Sequence, residues 1–518
     1  MTTLPAGLAP SPTPTFAFAV LLGVGAAAAD PGTLDVMILA QKTSAGSAAL
    51  NVPTQVFDVT AAEARFGARS RLAMAVRAFR VIAPRATLYA CPVADPTGSP
   101  VSATARLDFA GPATAAGVVR LRIAGRLLSE VVIPSSTTAA AAADLVRAAV
   151  AAVAELPCTA AVGGTSHEHE LTLTAASPGV AGNQLRVVFE CTAAGITVDL
   201  NGAGAGTTGK AYFGSGAPAT AGVGAVDLTA ALAAIAGDRY DRIVADVDDD
   251  TNRGRLSDHL TSQSSINVGR RCMGVVGSLE ETLSVVQADA VALNNPRVTI
   301  VYNRRSHNVV GELAAAYAAA KTYGDGRLPG ESQYRAAKAN DLSLAPAILA
   351  TDEEERLTPV QVDALLNSGV TPLGHDNLHP GYAAVVRPVT TRTKNASGGT
   401  SYLVRDTSKV AVADLVADRC EAFAVQNYGD KNLVPDPATI EQAPSSPYVV
   451  WPASIREDLL SILRQMESEF LLVNVSQYAS QVTADPLTVD GTQYVVCKVP
   501  FAVIPHLHSV VGEASQVA

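Results

Sequence analysis

The chain has 518 residues, 48% of them apolar and only 17% charged, with a formal net charge of −10. At ~150 residues per domain this length holds about three or four domains, and a chain this apolar is not disordered. The acidic balance argues against nucleic acid as the main partner, because phosphate binding needs a basic face; the low charge over so long a chain points to surface buried against other copies.

Residues 1–28 read as an extended arm. Pro5, Pro10, Pro12 and Pro14 exclude a helix there, and Thr15–Leu22 reads as one isolated apolar strand. An arm of ~25 residues reaches roughly 80 Å at ~3.3 Å per residue, and a lone apolar strand must pair with something. The apolar run Phe16–Ala29 has no Lys or Arg before it and falls short of the ~20 residues that span a bilayer. The run Ala139–Leu156 is broken by Asp144, Arg147 and Glu155. Neither export nor membrane insertion is expected.

Residues 29–97 begin an α/β core: a buried-type strand at Leu34–Leu39, helices at Thr60–Phe66 and Arg71–Ile82, a stop at Pro84, and a strand at Ala86–Cys91. Residues 98–221 change to short strands and frequent turns, as in a β-rich insertion. In Val118–Ile123 apolar and basic residues alternate at period two, the pattern of a half-buried strand. Thr138–Leu156 is an Ala-rich helix, and Gly202–Gly216 reads as a flexible Gly-rich linker. Residues 222–365 resume the α/β pattern, with strands at Arg242–Val247 and Val298–Tyr302. Residues 366–500 read as a separate α+β unit with strands at 382–390 and 401–404, and residues 501–518 as a C-terminal arm. The fold class is α/β and α+β multidomain, a core with an inserted β-rich domain and extended arms at both ends.

The clearest element is a helix at 454–472. Ser454 and Glu457 have capping-box spacing. Ile455, Leu459, Leu463, Met466 and Phe470 fall on one face. Arg456, Glu457, Asp458, Arg464, Glu467 and Glu469 form the other, an ordinary solvated face or a docking face.

The motifs that promise chemistry fail on inspection. Gly204–Lys210 resembles a phosphate-binding loop, but Ala211 stands where that loop needs a hydroxyl, and Gly214, Gly216 and Pro218 will not start a helix. Asp246, Asp248, Asp249 and Asp250 follow a strand; Thr251 and Ser257 break the calcium-loop pattern, which leaves strand-end and helix-cap acids. His375/His379, His167/His169 and His506/His508 are pairs without a third ligand. The six cysteines are far apart with no CxxC. No enzyme activity, cofactor or metal is expected.

The order of parts resembles the tail sheath proteins of contractile-tailed, Mu-like bacteriophages and related contractile injection systems. Ser454–Leu460 with Glu467, then Leu472–Val475, resembles that family's helix and exit strand. Leu293–Val301 resembles the strand after its Asn-Pro turn, Tyr240–Val244 its Tyr-Asp-x-Ile-Val strand, and Leu365–Val370 and Arg387–Thr393 two later segments. Pro178–Asn183 resembles a turn common in sheath insertions. The resemblance implies a structural subunit that polymerises around an inner tail tube by strand exchange and contracts to drive the tube through the target envelope. It implies exchange through Thr15, Phe16, Phe18, Val20 and Leu22 on one arm, and through Tyr494, Val496, Phe501 and Val503 at the other end. It also implies a tube-facing helix presenting Arg456, Asp458, Arg464, Glu467 and Glu469. The implied partners are other sheath subunits in stacked rings or a helix, the inner tube protein, and baseplate and tail terminator proteins. The implied location is the virion tail, assembled in the host bacterial cytoplasm. The alternatives are another self-assembling surface protein, or an enzyme using the Asp246–Asp250 run or the Gly204–Lys210 loop.

Overall fold

The computed structural model describes residues 34–325, 342–437, 446–489 and 492–505. The chain opens with β1 (Val36–Gln41), β2 (Thr54–Gln55) and β3 (Leu88–Val93). All six residues of β1 are buried, because both faces of the strand are covered. Val36, Ile38 and Ala40 point into one apolar cluster, and Met37 and Leu39 into another. This is the period-two alternation of a strand buried on both sides.

The inserted segment follows as β4 (Thr104–Ala110), β5 (Gly117–Ile123), β6 (Arg126–Leu127), β7 (Val131–Ile133), β8 (Cys158–Val162), β9 (Glu170–Ala175), β10 (Arg186–Cys191), β11 (Thr197–Leu200), β12 (Ala205–Gly206) and β13 (Thr208–Tyr212). These strands make two five-stranded sheets. One runs β13-β10-β5-β6 with β7 also on β5, and the other runs β12-β11-β4-β9-β8. The helix Ala139–Ala152, capped by Thr138 Oγ1, contributes Ala142, Ala143, Val146 and Val150 to their shared core. The flexible-linker reading of 202–216 is corrected. Gly209 lies where a Cβ would meet the Phe189 ring at 2.4 Å, so its glycine lets β13 close against β10.

The chain then returns to the first sheet with β14 (Arg242–Ala245), β15 (Met273–Ser278), β16 (Val298–Tyr302), β17 (Val370–His375) and β18 (Ala383–Val385). The eight-stranded order is β18-β17-β16-β15-β14-β1-β3-β2. All its pairs are parallel except β2/β3 and β17/β18. Helices 71–82 and 310–325 cover one face and helices 229–235, 250–263, 283–293 and 359–367 the other. Residues 370–385 therefore complete this sheet, which corrects the placement of a separate unit from 366. Of the expected strand at 382–390, residues 383–385 form β18, and Tyr382 and Val389 make only isolated bridges; the expected strand at 401–404 is a turn.

The last unit packs the helices Thr407–Tyr428 and Pro452–Ser468 with β19 (Asn432–Leu433), β20 (Val449–Val450), β21 (Leu472–Val473), β22 (Thr483–Val489), β23 (Thr492–Lys498) and β24 (Ala502–Val503). Its strands form only two-stranded sheets: β19/β20, β21/β24 and β22/β23. Helix 452–468 starts earlier than its capping-box spacing predicts. Trp451 is the N-cap, and Ser454 Oγ at N3 accepts from the Trp451 N–H (3.3 Å). It buries Ile455, Leu459, Leu460, Ile462, Leu463 and Met466, on the order of 10 kcal/mol of apolar burial as an upper bound. The helix stops at Ser468 in a Schellman turn: the Phe470 N–H donates to Glu467 O and the Leu471 N–H to Met466 O, both at 3.1 Å. Phe470 holds the left-handed position at φ 59° and is 81% exposed, so it leaves the apolar face predicted for it. Among the described residues no helix is long and apolar enough to cross a membrane.

Candidate functional site

The C-terminal unit places Tyr494, Val496 and Val503 on strands that pair within the chain, and Phe501 just before the last of them. In β23, Tyr494 faces Leu487 and Val496 faces Asp485 of β22; in β24, Val503 faces Leu472 of β21. Val496 is buried, whereas Tyr494, Phe501 and Val503 are half-buried. Val495, Cys497, Val499, Phe501 and Val503 lean on the unit's core without being covered by it. Each hairpin pairs on one side only among the described residues. Thr15, Phe16, Phe18, Val20 and Leu22 lie outside the described residues, as do His506 and His508.

The charged side of helix 452–468 is mostly tied inward. Arg456 donates to Val482 O (2.8 Å) and Ala479 O (2.9 Å). Asp458 accepts from the Tyr428 hydroxyl (2.7 Å), and burial together with that carboxylate pushes the Tyr428 hydroxyl well above its ordinary value. Glu467 accepts from the Val475 N–H (2.9 Å) and Glu469 ion-pairs with Arg419 (2.8 Å). Of the five predicted tube-facing residues Arg464 alone is classed as exposed, and it shares one helix face with the exposed Glu457, Ser461, Gln465 and Ser468. An alternating charge pattern does not reveal this, because the acceptors come from segments distant in sequence.

A second feature, missed from the sequence, joins this unit to the large sheet. Arg239, Arg271 and Arg297 stand just before β14, β15 and β16, three neighbouring strands. Asp414, Asp418 and Glu421 stand along one face of helix 407–428. Arg297 grips Asp414 through two hydrogen bonds (2.8 and 2.7 Å). Arg271 reaches Asp418 (2.6 Å) and Glu421 (2.7 Å), and Arg239 reaches Asp418 (2.7 Å). Burial pulls the Arg297 guanidinium down, but Asp414 more than restores it, so its pKa lies above the ordinary value. The i, i+4, i+7 acidic stripe was the available signal.

The residues of the enzyme alternative are committed to structure. In an open parallel sheet a ligand sits at the carboxyl ends where strand order reverses, here between β1 and β14. That place holds Asp246, in a buried pair with Arg71 (2.6 Å, side chains 1% and 2% exposed). Arg71 also donates to Gln184 Oε1 (2.5 Å) of the inserted domain, and Gln41 donates to Pro178 O (3.1 Å). Asp249 caps helix 250–263 by accepting from the Asn252 N–H (2.9 Å). Lys210 lies on β13 and pairs with Asp352 (3.4 Å) and Glu354. Arg186 donates to Asp352 (2.5 Å), as His307 Nε2 meets the same carboxylate (2.9 Å). Against burial, Arg186 and His307 pull Asp352 down to about 2. All six thiols are free, and burial raises each.

No family model matches the chain, and no curated protein does. Solved structures do. The chain is similar to a sheath tail protein from Desulfitobacterium hafniense, at 12% identity and a TM-score of 0.44, over 93% of this chain and 99% of that one. It is similar to a sheath tail protein from Listeria innocua at the same identity and TM-score, over 93% of this chain and 97% of that one.

Proposed function

We propose that the chain is the subunit of a contractile tail sheath. It polymerises around an inner tube through strands exchanged between copies and contracts to drive the tube through a target envelope. The observation that carries this reading is the shortage of strands in the C-terminal unit. Two two-stranded sheets, β21/β24 and β22/β23, lean half-buried apolar side chains against one core. Isolated two-stranded sheets are marginal in water, and open edges are templates for another chain. The apolar run Thr15–Leu22, whose sequence reads as a strand on an extended arm, is proposed as the complementary piece. Tyr494, Val496 and Val503 then belong to the accepting sheets, since they already pair in-chain, and Phe501 leans on the same core just before β24.

Contact with the tube is assigned to the exposed stripe Glu457, Ser461, Arg464, Gln465 and Ser468 of helix 452–468. Neighbouring subunits, the tube, the baseplate and the tail terminator are the partners, in a virion tail assembled in the host cytoplasm. No nucleotide is required, because two packings of the same rigid units can store the energy. Deleting residues 1–24 tests the reading. The deleted chain is expected to remain folded and soluble but to form no sleeves by negative-stain electron microscopy. Intact sleeves from that deletion overturn it.

A further inference from the structure

The inserted domain carries a cluster of ligating side chains that the proposed assembly does not use. Asp108 of β4 and Glu170 of β9 are register partners in an antiparallel pair. The Phe109 N–H donates to His169 O (3.0 Å), which fixes the chain just before β9. Two carboxylates directly opposite each other on neighbouring strands repel. The Arg106 guanidinium offsets part of this, 2.6 Å from Glu170 and 3.2 Å from Asp108, but it brings one positive charge to two negative ones. The turn that leads into β9 then delivers two imidazoles to the same spot. His169 Nε2 lies 3.3 Å from Asp108 Oδ1, and His167 Nδ1 lies 2.7 Å from Glu170 Oε1. The two rings stack, with centroids 6.5 Å apart and planes 23° from parallel. Asp108, His169 and Glu170 can bring one ligand atom each within 4.8 Å of one another. Sequence spacing offers His167, His169 and Glu170, whereas strand pairing supplies Asp108 from 61 positions before His169.

We propose that Asp108, His169 and Glu170, joined by His167, bind a divalent transition-metal ion, with zinc the best match. Two imidazoles with two carboxylates form a nitrogen–oxygen set suited to zinc, whereas calcium and magnesium take oxygen ligands. A tetrahedral zinc with bonds of ~2.0–2.1 Å holds its ligand atoms about 3.3 Å apart, the separation already present between Asp108 and His169. His167 lies outside the close group of Asp108, His169 and Glu170, held to Glu170 Oε1 by a 2.7 Å hydrogen bond, and joins as a fourth ligand only when its ring turns from that carboxylate to the ion. Arg106 Nη2 holds Asp108 Oδ2 and, more closely, Glu170 Oε1; Asp108 Oδ1 is turned to His169, and as the ion enters, Arg106 yields Glu170 to it and stays on Asp108 as the outer partner that such carboxylates use. With His169 39% and Asp108 35% exposed as side chains, an ion reaches the site without unfolding. Bound there, it ties the 163–170 turn to β4.

Isothermal titration of zinc chloride into the full-length chain tests this, in a buffer that does not chelate. The expected result is one zinc per chain with a Kd of ~100 μM or tighter, and a melting temperature that rises with zinc. His169→Ala and Asp108→Ala are each expected to weaken binding at least ~10-fold and to remove the melting shift. His167→Gln, at an exposed turn position, carries the same direction if either variant fails to fold. Cobalt(II) in place of zinc is expected to give a d–d spectrum with no thiolate charge-transfer band, and Cys497→Ser to leave binding unchanged. Weaker binding than that limit, binding indifferent to these histidines, or a thiolate band overturns the proposal. None of these readouts depends on sleeve formation.

Discussion

Asp414→Ala removes one half of the most enclosed ion pair between the C-terminal unit and the large sheet. Arg297 and Asp414 are 6% and 12% exposed as side chains, so solvent screening lowers the energy of the pair little. Two hydrogen bonds close the fork, and the Arg297 guanidinium has one further acceptor, Cys272 O at 3.2 Å. Truncating the carboxylate leaves that guanidinium desolvated with a single protein partner. The cost of stranding one member of a buried pair is ~3–5 kcal/mol. A double variant, Arg297→Met with Asp414→Leu, replaces the pair by apolar side chains of similar reach and is expected to recover most of the loss, since such swaps are often neutral. The single tryptophan, Trp451, caps helix 452–468, so its fluorescence in urea reads the C-terminal unit directly. An Asp414→Ala chain within ~1 kcal/mol of the parent, or a double variant less stable than the single one, refutes the reasoning.

Phe470→Gly is expected to stabilise the isolated chain by about 1 kcal/mol in the same urea assay, because a left-handed φ strains a non-glycine residue and this ring makes few contacts to lose; destabilisation refutes that account. The attachment of the inserted domain is expected to weaken in acid. Burial, helped by Arg186, lowers the His307 pKa, so the unfolded chain binds the extra proton first and stability falls as pH drops below ~6.5. Asp352, held at about 2, contributes stability that is lost only as pH falls from ~3.8 toward that value. Melting temperatures across pH are therefore expected to show two steps. His307→Asn is expected to shrink the upper one, to which His259 and His375 also contribute, and to weaken the lower one, because His307 helps hold Asp352 down; an unchanged upper step refutes the assignment.

The elements that could be read from sequence are those whose partners are local. Helix 71–82 has its apolar periodicity and its Ser70 cap within one stretch, and β1 is apolar from Val36 to Ala40 with turn residues beyond it. The elements that could not be read depend on distant chain. Val370–His375 contains Pro372 and Gly374, which weaken a strand signal, yet it is a strand because β16 lies alongside, with Ile300 paired to Val370. The glycines at 204–209 suggest flexibility, whereas Gly209 is there because Phe189 of β10 needs its space. The charged face of helix 452–468 was visible, but its inward use was not. Tyr428, Val475 and Arg419 supply the partners, and nothing in a 17-residue helix encodes their positions.

The two junctions of the large sheet differ in kind. The inserted domain shares apolar packing with it, since Met74 and Val309 of the sheet domain belong to the insertion's own core. The described apolar core of the C-terminal unit begins at Val412 and takes no residue from the sheet. Its junction is the row of Arg239, Arg271 and Arg297 against Asp414, Asp418 and Glu421. Three adjacent strand ends span ~9.6 Å at ~4.8 Å per spacing, and residues 414 to 421 of a helix span ~10.5 Å at ~1.5 Å per residue. The two rows therefore match in length, with Arg297 before β16 on Asp414, Arg271 before β15 on Asp418 and Glu421, and Arg239 before β14 sharing Asp418. Such pairs add little net stability over apolar packing, because each charge must lose its water first. What they impose is position: sliding the helix by one turn would bring Arg297 to Asp418 and leave Asp414 unpaired. The junction thus sets where the C-terminal unit sits while adding little to hold it there.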